Sequence, residues 1–489
     1  MFVSVTHKGL VVRKKIVFYL NGIRKEIGAQ EASQMLAEYL RYDQGLTGTK
    51  IMCAEGDCGA CSVLKYFPHA PGTDSGNYLP INSCITLVAQ LDGSSLVTVD
   101  ALKNEDTLHE TQKSMVQCHG SQCGFCTPGF VIALTGMVEE KLSKRENKIG
   151  PQEAKNCMTG NLCRCTGYQP IINSALSIDL AKCESVKKRY YSSGQEADLK
   201  EAFSKSVFLE SEDFSFFAPK SLEEAIDYLK AQPDTRIIGS GTDLGVSHNK
   251  RKDQLTKLLS LHLLSDLYQM TEEGEDIVVG ARVTHTEFRH YMKDRVPEFA
   301  KYLDIFASPQ IKNVGTIIGN IANASPIGDT PPAFLALEAS AIIYGPQGKR
   351  ELPLSRFFLA YRKTALMPGE ILGYIKFKKP GPLTTLRFYK YSNRKDLDIS
   401  GINFAARIDW KDAEKKQIQK IIFAAGGVAP TPVRFLKTEE FLTQTFDKEK
   451  GLGELQAEIQ PISDLRGSSA YRRVLLENFY RKFFTEVGV

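Results

Sequence analysis

No apolar run in this chain approaches the roughly eighteen residues that a membrane-spanning helix needs, so no span is expected. The N-terminus, MFVSVTHKGLVVRKK, also lacks the continuous apolar core and small-residue cleavage site of a signal peptide. Together these give a cytoplasmic expectation. An excess of one charge is missing as well: 62 Lys and Arg against 57 Asp and Glu leave a net charge of +5. That balance offers no argument for nucleic acid or a membrane surface as partner. The histidines (His7, His69, His109, His119, His248, His262, His285 and His290) form no ligand-spaced cluster, so none is given a catalytic role. The single tryptophan, Trp410, reads as structural, and no internal repeat is present.

What the chain does have is cysteine. It has 11, an odd number that argues against a simple disulfide framework. In a reducing compartment, clustered cysteines read as metal ligands or redox groups. Two quartets stand out: Cys53-x4-Cys58-x2-Cys61 with Cys84, and Cys123-x2-Cys126 with Cys163-x-Cys165. Cys118, Cys157 and Cys183 fall outside them and read as small core residues.

A chain of 489 residues should divide into about three or four domains. The pattern predicts a multi-domain α+β protein. Residues 14–100 read as strands plus a helix near 31–41 around a cysteine loop, opened by a hairpin with Asn21-Gly22 at its turn. Residues 101–185 read as a bundle of four short helices. The charged stretch 186–212 reads as a linker. Residues 213–382 form an α/β region whose first helix is opened by Ser221 and Glu224. Residues 383–489, strands followed by helices, form an α+β C-terminal domain.

The C-x4-C-x2-C spacing is the plant-type arrangement for a 2Fe-2S cluster. Gly56 and Gly59 let the loop turn inward and offer bare N–H groups to sulfur. A structural zinc site would instead prefer paired C-x2-C knuckles. The second quartet uses two tight pairs, each running into a helix, with Thr127 placed to cap, Pro128 at the first helical position, and Pro170 in a similar opening role. Helix N-termini favour a nearby anionic cluster.

MCAEGDCGACSV, QCGFCTPGF and GNLCRCTGYQPI resemble the iron–sulfur half of the molybdenum hydroxylase family, which includes xanthine dehydrogenases and aldehyde oxidases. The resemblance implies a β-grasp ferredoxin domain with a 2Fe-2S cluster on Cys53, Cys58, Cys61 and Cys84. It implies a four-helix bundle with a second on Cys123, Cys126, Cys163 and Cys165. In the family the bundle cluster lies nearest the molybdopterin, with Gln122 and Cys165 as its neighbours. Met52 and Asp57 stand where the family commonly has glycine.

Two further Gly-rich loops, IIGSGTDLG (237–245) and ASPQIKNVGTIIGNIANASPIGD (307–329), have the composition of phosphate cradles. The first is not a Rossmann fingerprint, because it lacks the third glycine at its offset. Together they resemble the family's FAD domain, of the vanillyl-alcohol-oxidase type. By that resemblance Ile237, Ile238, Gly239, Ser240, Gly241, Thr242, Asp243 and Leu244 form the first pyrophosphate loop. Thr316, Ile317, Ile318, Gly319 and Asn320 form the second, although Ile318 replaces a usual glycine. Asp329 is placed to bond ribityl or ribose hydroxyls, Phe306 to lie against the flavin ring, and Asp398 to approach it.

The order of modules resembles the small subunits of bacterial two-subunit xanthine dehydrogenases, and no molybdopterin domain follows the flavin region. The resemblance thus implies a molybdopterin-binding large subunit as partner, assembly as a dimer of heterodimers, and electron flow from bundle cluster to ferredoxin-type cluster to FAD and on to NAD. The equivalent subunit of another molybdenum hydroxylase, acting on aldehydes or N-heterocycles, is the alternative reading. A zinc protein with a nucleotide-binding domain is the non-enzymatic one.

Overall fold

Asn21 and Gly22 take φ of 52° and 80°, as a tight hairpin turn requires, and Ile16–Leu20 (β1) folds back on Ile23–Ile27 (β2) in register from Ile16↔Ile27 to Leu20↔Ile23. A computed structural model describes residues 12–68, 76–395 and 397–489; His7, His69 and Asp396 lie outside them. The chain forms two compact units, one containing residues up to Tyr268 together with Ser308–Gly315, the other Gln269–Ala307 and Thr316–Val489.

In the first unit, β1 and β2 join Ser62–Tyr66 (β3), Leu79–Asn82 (β4) and Ser95–Val97 (β5) in a sheet ordered β2-β1-β5-β3-β4, with β1 and β5 parallel. The helix expected near 31–41 is broken into Ala29–Ala32 (α1) and Leu36–Glu38 (α2), with a wider turn at Tyr39–Asp43. The cause is Met35, which takes an extended conformation to bridge Leu87 while Leu36 N–H reaches Thr86 O at 2.7 Å. Met35, Leu36, Tyr39 and Leu40 still bury together, so the expected apolar face survives the break.

Four helices follow, as the sequence predicts: Glu110–Gln117 (α3), Thr127–Ser143 (α4), Pro151–Cys157 (α5) and Gln169–Leu176 (α6). The central helix α4 buries Phe130, Val131, Ile132, Leu134 and Val138 around a core that Met115, Ile171 and Ala175 complete. Cys157 and Cys183 sit at the margin of this core.

The stretch 186–212 is folded, which corrects the linker expectation. Val186–Tyr190 (α7) and Ser193–Phe203 (α8) lead into Val207–Glu210 (β6). Buried Glu139 anchors α7 by accepting the amides of Val186 (2.7 Å) and Lys187 (3.1 Å) and the Ser185 hydroxyl (3.0 Å). Leu199 and Ala202 pack under Val17 and Tyr19. These apolar residues lie at helical spacing inside a charged stretch, so composition hides them.

β6 then joins Ser215–Ala218 (β7), Arg236–Ile238 (β8) and Lys257–Ser260 (β9) in a sheet ordered β6-β7-β9-β8. Leu222–Ala231 (α9) is capped by Ser221, whose hydroxyl accepts Glu224 N–H at 3.1 Å, and the Glu224 carboxylate accepts Lys220 N–H at 3.0 Å. Thr242–Asn249 (α10) follows β8 directly. Residues 213–268, expected to fold with the rest of 213–382, therefore count with the cysteine domains.

The second unit contains Met270–Glu273 (β10), Asp276–Gly280 (β11), His285–Met292 (α11) and Pro297–Asp304 (α12). The short helix Pro309–Lys312 (α13) belongs to the first unit, and Ile317–Ala322 (α14) and Thr330–Ala336 (α15) return to the second. Ser340–Gly345 (β12), Gly348–Pro353 (β13), a small hairpin Phe358–Ala360 (β14) and Lys363–Thr364 (β15), and Ile371–Lys378 (β16) follow. The sheet order is β10-β11-β16-β12-β13. The C-terminal part is a second sheet of Thr384–Tyr391 (β17), Ile402–Trp410 (β18), Ile418–Gly426 (β19) and Val433–Arg434 (β20), covered by Leu436–Gln444 (α16), Lys448–Ala457 (α17) and Ser469–Val487 (α18). Trp410 is buried there and donates to Thr385 Oγ1 at 3.0 Å, so its structural reading holds.

Asp92 ties the first unit together. It is fully buried and accepts two bonds from Arg13 (2.8 and 2.7 Å), one from Val17 N–H (2.9 Å) and a contact from His262 Nε2 (3.1 Å). Burial pushes its pKa up, but the bonds from Arg13 and His262 outweigh that and hold it at about 2 against an ordinary 3.8. A lowered carboxylate pKa contributes stability that is present above the ordinary value and lost as pH falls from 3.8 towards 2. The shift corresponds to about 2 kcal/mol. Asp92→Asn should therefore unfold at lower urea than wild type at pH 7, with the gap narrowing as pH falls from about 4 to about 2.

Two cysteine loops and a candidate flavin site

The first quartet lies on the loop between the turn at Tyr39–Asp43 and β3, with Cys84 contributed from the turn after β4. Ala54, Gly56 and Gly59 all take positive φ (54°, 75° and 68°), and this curls the loop inward. Amides of Glu55 and Cys58 are directed at Cys53 sulfur, Cys58 N–H at 3.4 Å, and the Ala60 amide at Cys58. Asn82 Nδ2 donates to Cys61 Sγ at 3.8 Å. The thiols are tightly coupled. Hydrogen bonding from Cys58 holds Cys53 low, and bonding from Cys84 holds Cys61 low despite its burial. Cys58 and Cys84 are pushed up in turn, first by their bonds to Cys53. Four thiols gathered on one loop and its neighbour, ringed by amide donors, are what an anionic iron–sulfur cluster asks for.

The second quartet pairs Cys123 with Cys165 and Cys126 with Cys163. Cys126 is itself the N-cap of α4, and no side chain caps that helix. Thr127 therefore does not cap, which corrects the sequence expectation; it is the first helical residue and its hydroxyl donates to Ser121 Oγ at 2.8 Å. The helix N-terminus is left open beside a candidate ligand. The Phe125 amide bonds Cys123 and lowers its pKa, while burial pushes Cys126 up to about 12. Thr166 Oγ1 lies 3.1 Å from Cys163 Sγ, and Cys163 N–H donates to Tyr168 Oη at 3.0 Å. Cys123 and Cys165 are exposed. Among the described residues no group of three or more His, Cys, Asp or Glu converges on a single ion. A two-iron cluster asks for two protein ligands on each iron, which these pairs can supply.

The two loops touch. Leu162 N–H, next to Cys163, donates to Cys58 O at 3.0 Å, and Asn161 Nδ2 donates to Gly59 O at 3.2 Å. A Cβ on Gly129 would stand 2.2 Å from Gly59 O, so only glycine fits there.

Of the flavin candidates, Ile237 to Leu244 run from β8 into α10. Gly241 is the N-cap, at φ 73°, and no side chain caps the first turn of α10, which leaves that N-terminus suited to a phosphate. The far side of α10 lies on the first cysteine loop. A Cβ on Gly245 would meet Ile85 O at 2.4 Å, and Asn249 Nδ2 donates to Ala54 O (2.7 Å) and Cys84 O (2.8 Å).

The other candidates belong to the second unit. Thr316 caps α14 by accepting Gly319 N–H at 3.0 Å, and Ile317 N–H goes to Val283 O at 3.1 Å. Two of the amides expected to cradle pyrophosphate are thus already donated within the protein, which corrects the simple cradle reading. Ile318 is buried, and Asn320 Oδ1 accepts from Thr330 at 2.7 Å. Asp329 is also buried: it pairs with buried Lys390 at 2.9 Å and accepts from Ser400 and from Asn403 Nδ2 (3.3 Å). Phe306 lies 4.5 Å from the His285 ring and 5.9 Å from Lys390 Nζ. Asp398 accepts the amides of Arg394 (2.9 Å) and Ile399 (3.0 Å), so its carboxylate closes its own loop. Sequence reasoning missed Lys390, Ser400 and Asn403. A buried lysine on an alternating strand carries no signal of its partner until the fold brings Asp329 beside it.

Three family profiles match the chain: a 2Fe-2S binding domain at 98–176, the FAD binding domain in molybdopterin dehydrogenase at 212–378, and the CO dehydrogenase flavoprotein C-terminal domain at 387–487. Xanthine dehydrogenase 1 of Arabidopsis thaliana is 29% identical over 96% of this chain, and xanthine dehydrogenase/oxidase of Rattus norvegicus 27% over 97%. The chain spans 40% and 39% of those two proteins. Among solved structures, carbon monoxide dehydrogenase from Hydrogenophaga pseudoflava aligns with TM-score 0.52 and 27% identity, over 56% of this chain and 96% of that one. Quinoline 2-oxidoreductase from Pseudomonas putida 86 aligns with TM-score 0.51 and 25% identity, over 57% and 98%.

The matched profiles are those of a 2Fe-2S binding domain, an FAD binding domain and a flavoprotein C-terminal domain, and they cover the second cysteine quartet and the flavin candidates. The chain is thus similar to the iron–sulfur and FAD portions of these xanthine dehydrogenases and to the flavoprotein part of these molybdenum enzymes.

Hydrogen bonds to cluster sulfur tune reduction potential, and donors raise it. Asn82→Leu, which deletes the bond to Cys61 Sγ, should lower the midpoint of the first cluster and leave the second unmoved, as read by an EPR-monitored redox titration.

Proposed function

We propose that this chain is the electron-transfer subunit of a xanthine dehydrogenase. One 2Fe-2S cluster is held by Cys53, Cys58, Cys61 and Cys84, the other by Cys123, Cys126, Cys163 and Cys165. The FAD-binding residues are the loop Ile237 to Leu244 in the first unit and, in the second, Phe306, the α14 turn and Asp329. Electrons come from a molybdopterin-binding large subunit and leave on NAD, in a cytoplasmic dimer of heterodimers. When bound, the clusters supply one-electron carriers, and FAD supplies the centre at which electrons are paired for hydride transfer.

The observation that carries this reading is the docking of α10 on the first cysteine loop through Gly245 and Asn249. The helix whose open N-terminus suits the flavin pyrophosphate is the one whose other end holds Ala54 O and Cys84 O. That supports the ferredoxin-type site as the flavin-side relay. The second quartet supports the opposite role. Exposed Cys123 and Cys165 are accompanied by exposed Phe125, Leu162 and Tyr168, an apolar rim suited to a partner protein. Ser121 and Thr166 place hydroxyls on Thr127 and Cys163 and so hold the two ligand turns in shape.

In the second unit, Lys390 stands within cation–π range of the Phe306 ring while its charge is matched by Asp329. This supports Phe306 as the aromatic against the flavin. Both oxygens of Asp329 are already engaged, Oδ2 by Lys390 and Oδ1 by Ser400 and Asn403, so it would meet ligand hydroxyls only through its remaining lone pairs. A second reading, the equivalent subunit of an N-heterocycle- or aldehyde-oxidising hydroxylase, is favoured by the structural likeness to a quinoline oxidoreductase.

The test is co-purification of the chain with its native large subunit and assay on hypoxanthine, xanthine, aldehydes and N-heterocycles with NAD as acceptor. Purine turnover is expected; turnover of aldehydes or N-heterocycles alone would reject the xanthine assignment. Cys165→Ser should abolish the second cluster's signal and purine-to-NAD turnover in that complex. Reduction of FAD by NADH should persist, as measured by flavin bleaching.

A further inference from the structure

Residues Ser308–Gly315 interrupt the second unit in sequence yet count with the first in space. Their sequence, SPQIKNVG, reads as part of the second phosphate loop, but their side chains reach the cysteine loops. Gln310 is fully buried, and its Nε2 donates to Ser62 Oγ at 3.2 Å and to Asn161 Oδ1 at 2.9 Å. Ser62 directly follows Cys61, and Asn161 stands two residues before Cys163. One amide group therefore holds a loop from each quartet, and Asn161 closes the ring by donating to Gly59 O.

The approach is built for this side chain. A Cβ on Gly160 would fall 1.8 Å from Gln310 Oε1, and a Cβ on Gly59 would fall 2.2 Å from Gly160 O. Among the described residues Gln310 Oε1 has no hydrogen-bond partner, so the two donated bonds orient the amide. The neighbours add grip. Ile311 packs into the apolar cluster that contains Cys61, Cys84 and Ile85, and Asn313 Nδ2 donates to Pro80 O at 2.9 Å. The Ser308 hydroxyl caps the short helix α13 by accepting Ile311 N–H at 3.2 Å, which presents Gln310 and Ile311 together.

We propose that Gln310 is a positioning residue for electron transfer. It fixes the spacing and orientation of the two cluster-bearing loops, and with them the coupling between the clusters. Residues just outside a metal site orient its ligands in this way, and a buried amide bonded on both sides holds its partners stiffly. The proposal rests on the iron–sulfur reading above. An ordinary core amide would contribute to stability and nothing else.

The experiment uses the full chain purified with its cofactors, reduced with dithionite and measured by low-temperature EPR, where the interaction between two half-spins reports their separation and orientation. Gln310→Met keeps the volume and removes the amide. It should retain wild-type iron and FAD content and both signals, but alter the splitting between them. Asn313→Ala loosens the same strap from Pro80 without touching either quartet, and should alter the splitting in the same direction by less. An unchanged splitting in Gln310→Met, with only a lower melting temperature, would overturn the positioning role. If Gln310→Met fails to fold, an unchanged splitting in Asn313→Ala overturns it instead. Absence of two signals from the wild type would bring down the cluster reading itself, which is a distinguishable outcome.

Discussion

The structure of the first unit depends on one constraint: two cysteine-bearing loops meet at backbone contact. The Cys58 carbonyl accepts Leu162 N–H, the Gly59 carbonyl is wedged against Gly129, and the Gly160 carbonyl is wedged against Gly59. No Cβ fits at these points, so packing here is set by main chain rather than by exchangeable side chains. A pair of carriers is useful only if close and rigid, and backbone contact is the stiffest way to achieve both. The surrounding domains serve this contact. The five-stranded sheet presents the first loop, α4 and α6 present the second, and Glu139 secures the stretch that joins them to the next sheet.

Two other elements of the first unit are organised around the first quartet. Helix α10 carries the glycine loop at one end and binds Ala54 O and Cys84 O at the other. The strap at 308–315 inserts Ile311 beside Cys61 and Cys84. In the second unit the equivalent organising pair is Asp329 with Lys390. Both are buried, and the charges are compensated by each other and by Ser400 and Asn403. Breaking one partner of such a pair leaves the other stranded in a poor solvent for ions, so the pair fixes local geometry more than it adds stability.

Much of this was legible in the sequence because the constraints were local. Asn21-Gly22, Ser221 with Glu224, and the positive-φ demands at Gly56 and Gly59 are each decided within a few residues, and the structure shows each of them in place. The four bundle helices were readable for the same reason. What was not legible depends on distant partners. The 31–41 helix breaks because Met35 finds Leu87, and α8 folds because Leu199 finds Val17, neither of which periodicity can show. The same holds for function. Thr316 looked like a phosphate ligand, yet its hydroxyl spends itself on Gly319. SPQIKNVG looked like part of a cradle, yet it grips the cysteine loops. Glycine-rich composition says that backbone must come close to something; only the fold says to what.

The central claim is that both quartets hold two-iron clusters. Metal and sulfide analysis of the purified chain tests it most directly. About four iron and about four acid-labile sulfide per chain are expected, alongside one FAD and no zinc. Zinc in place of iron at either quartet, or sulfide at half that level, would contradict the account.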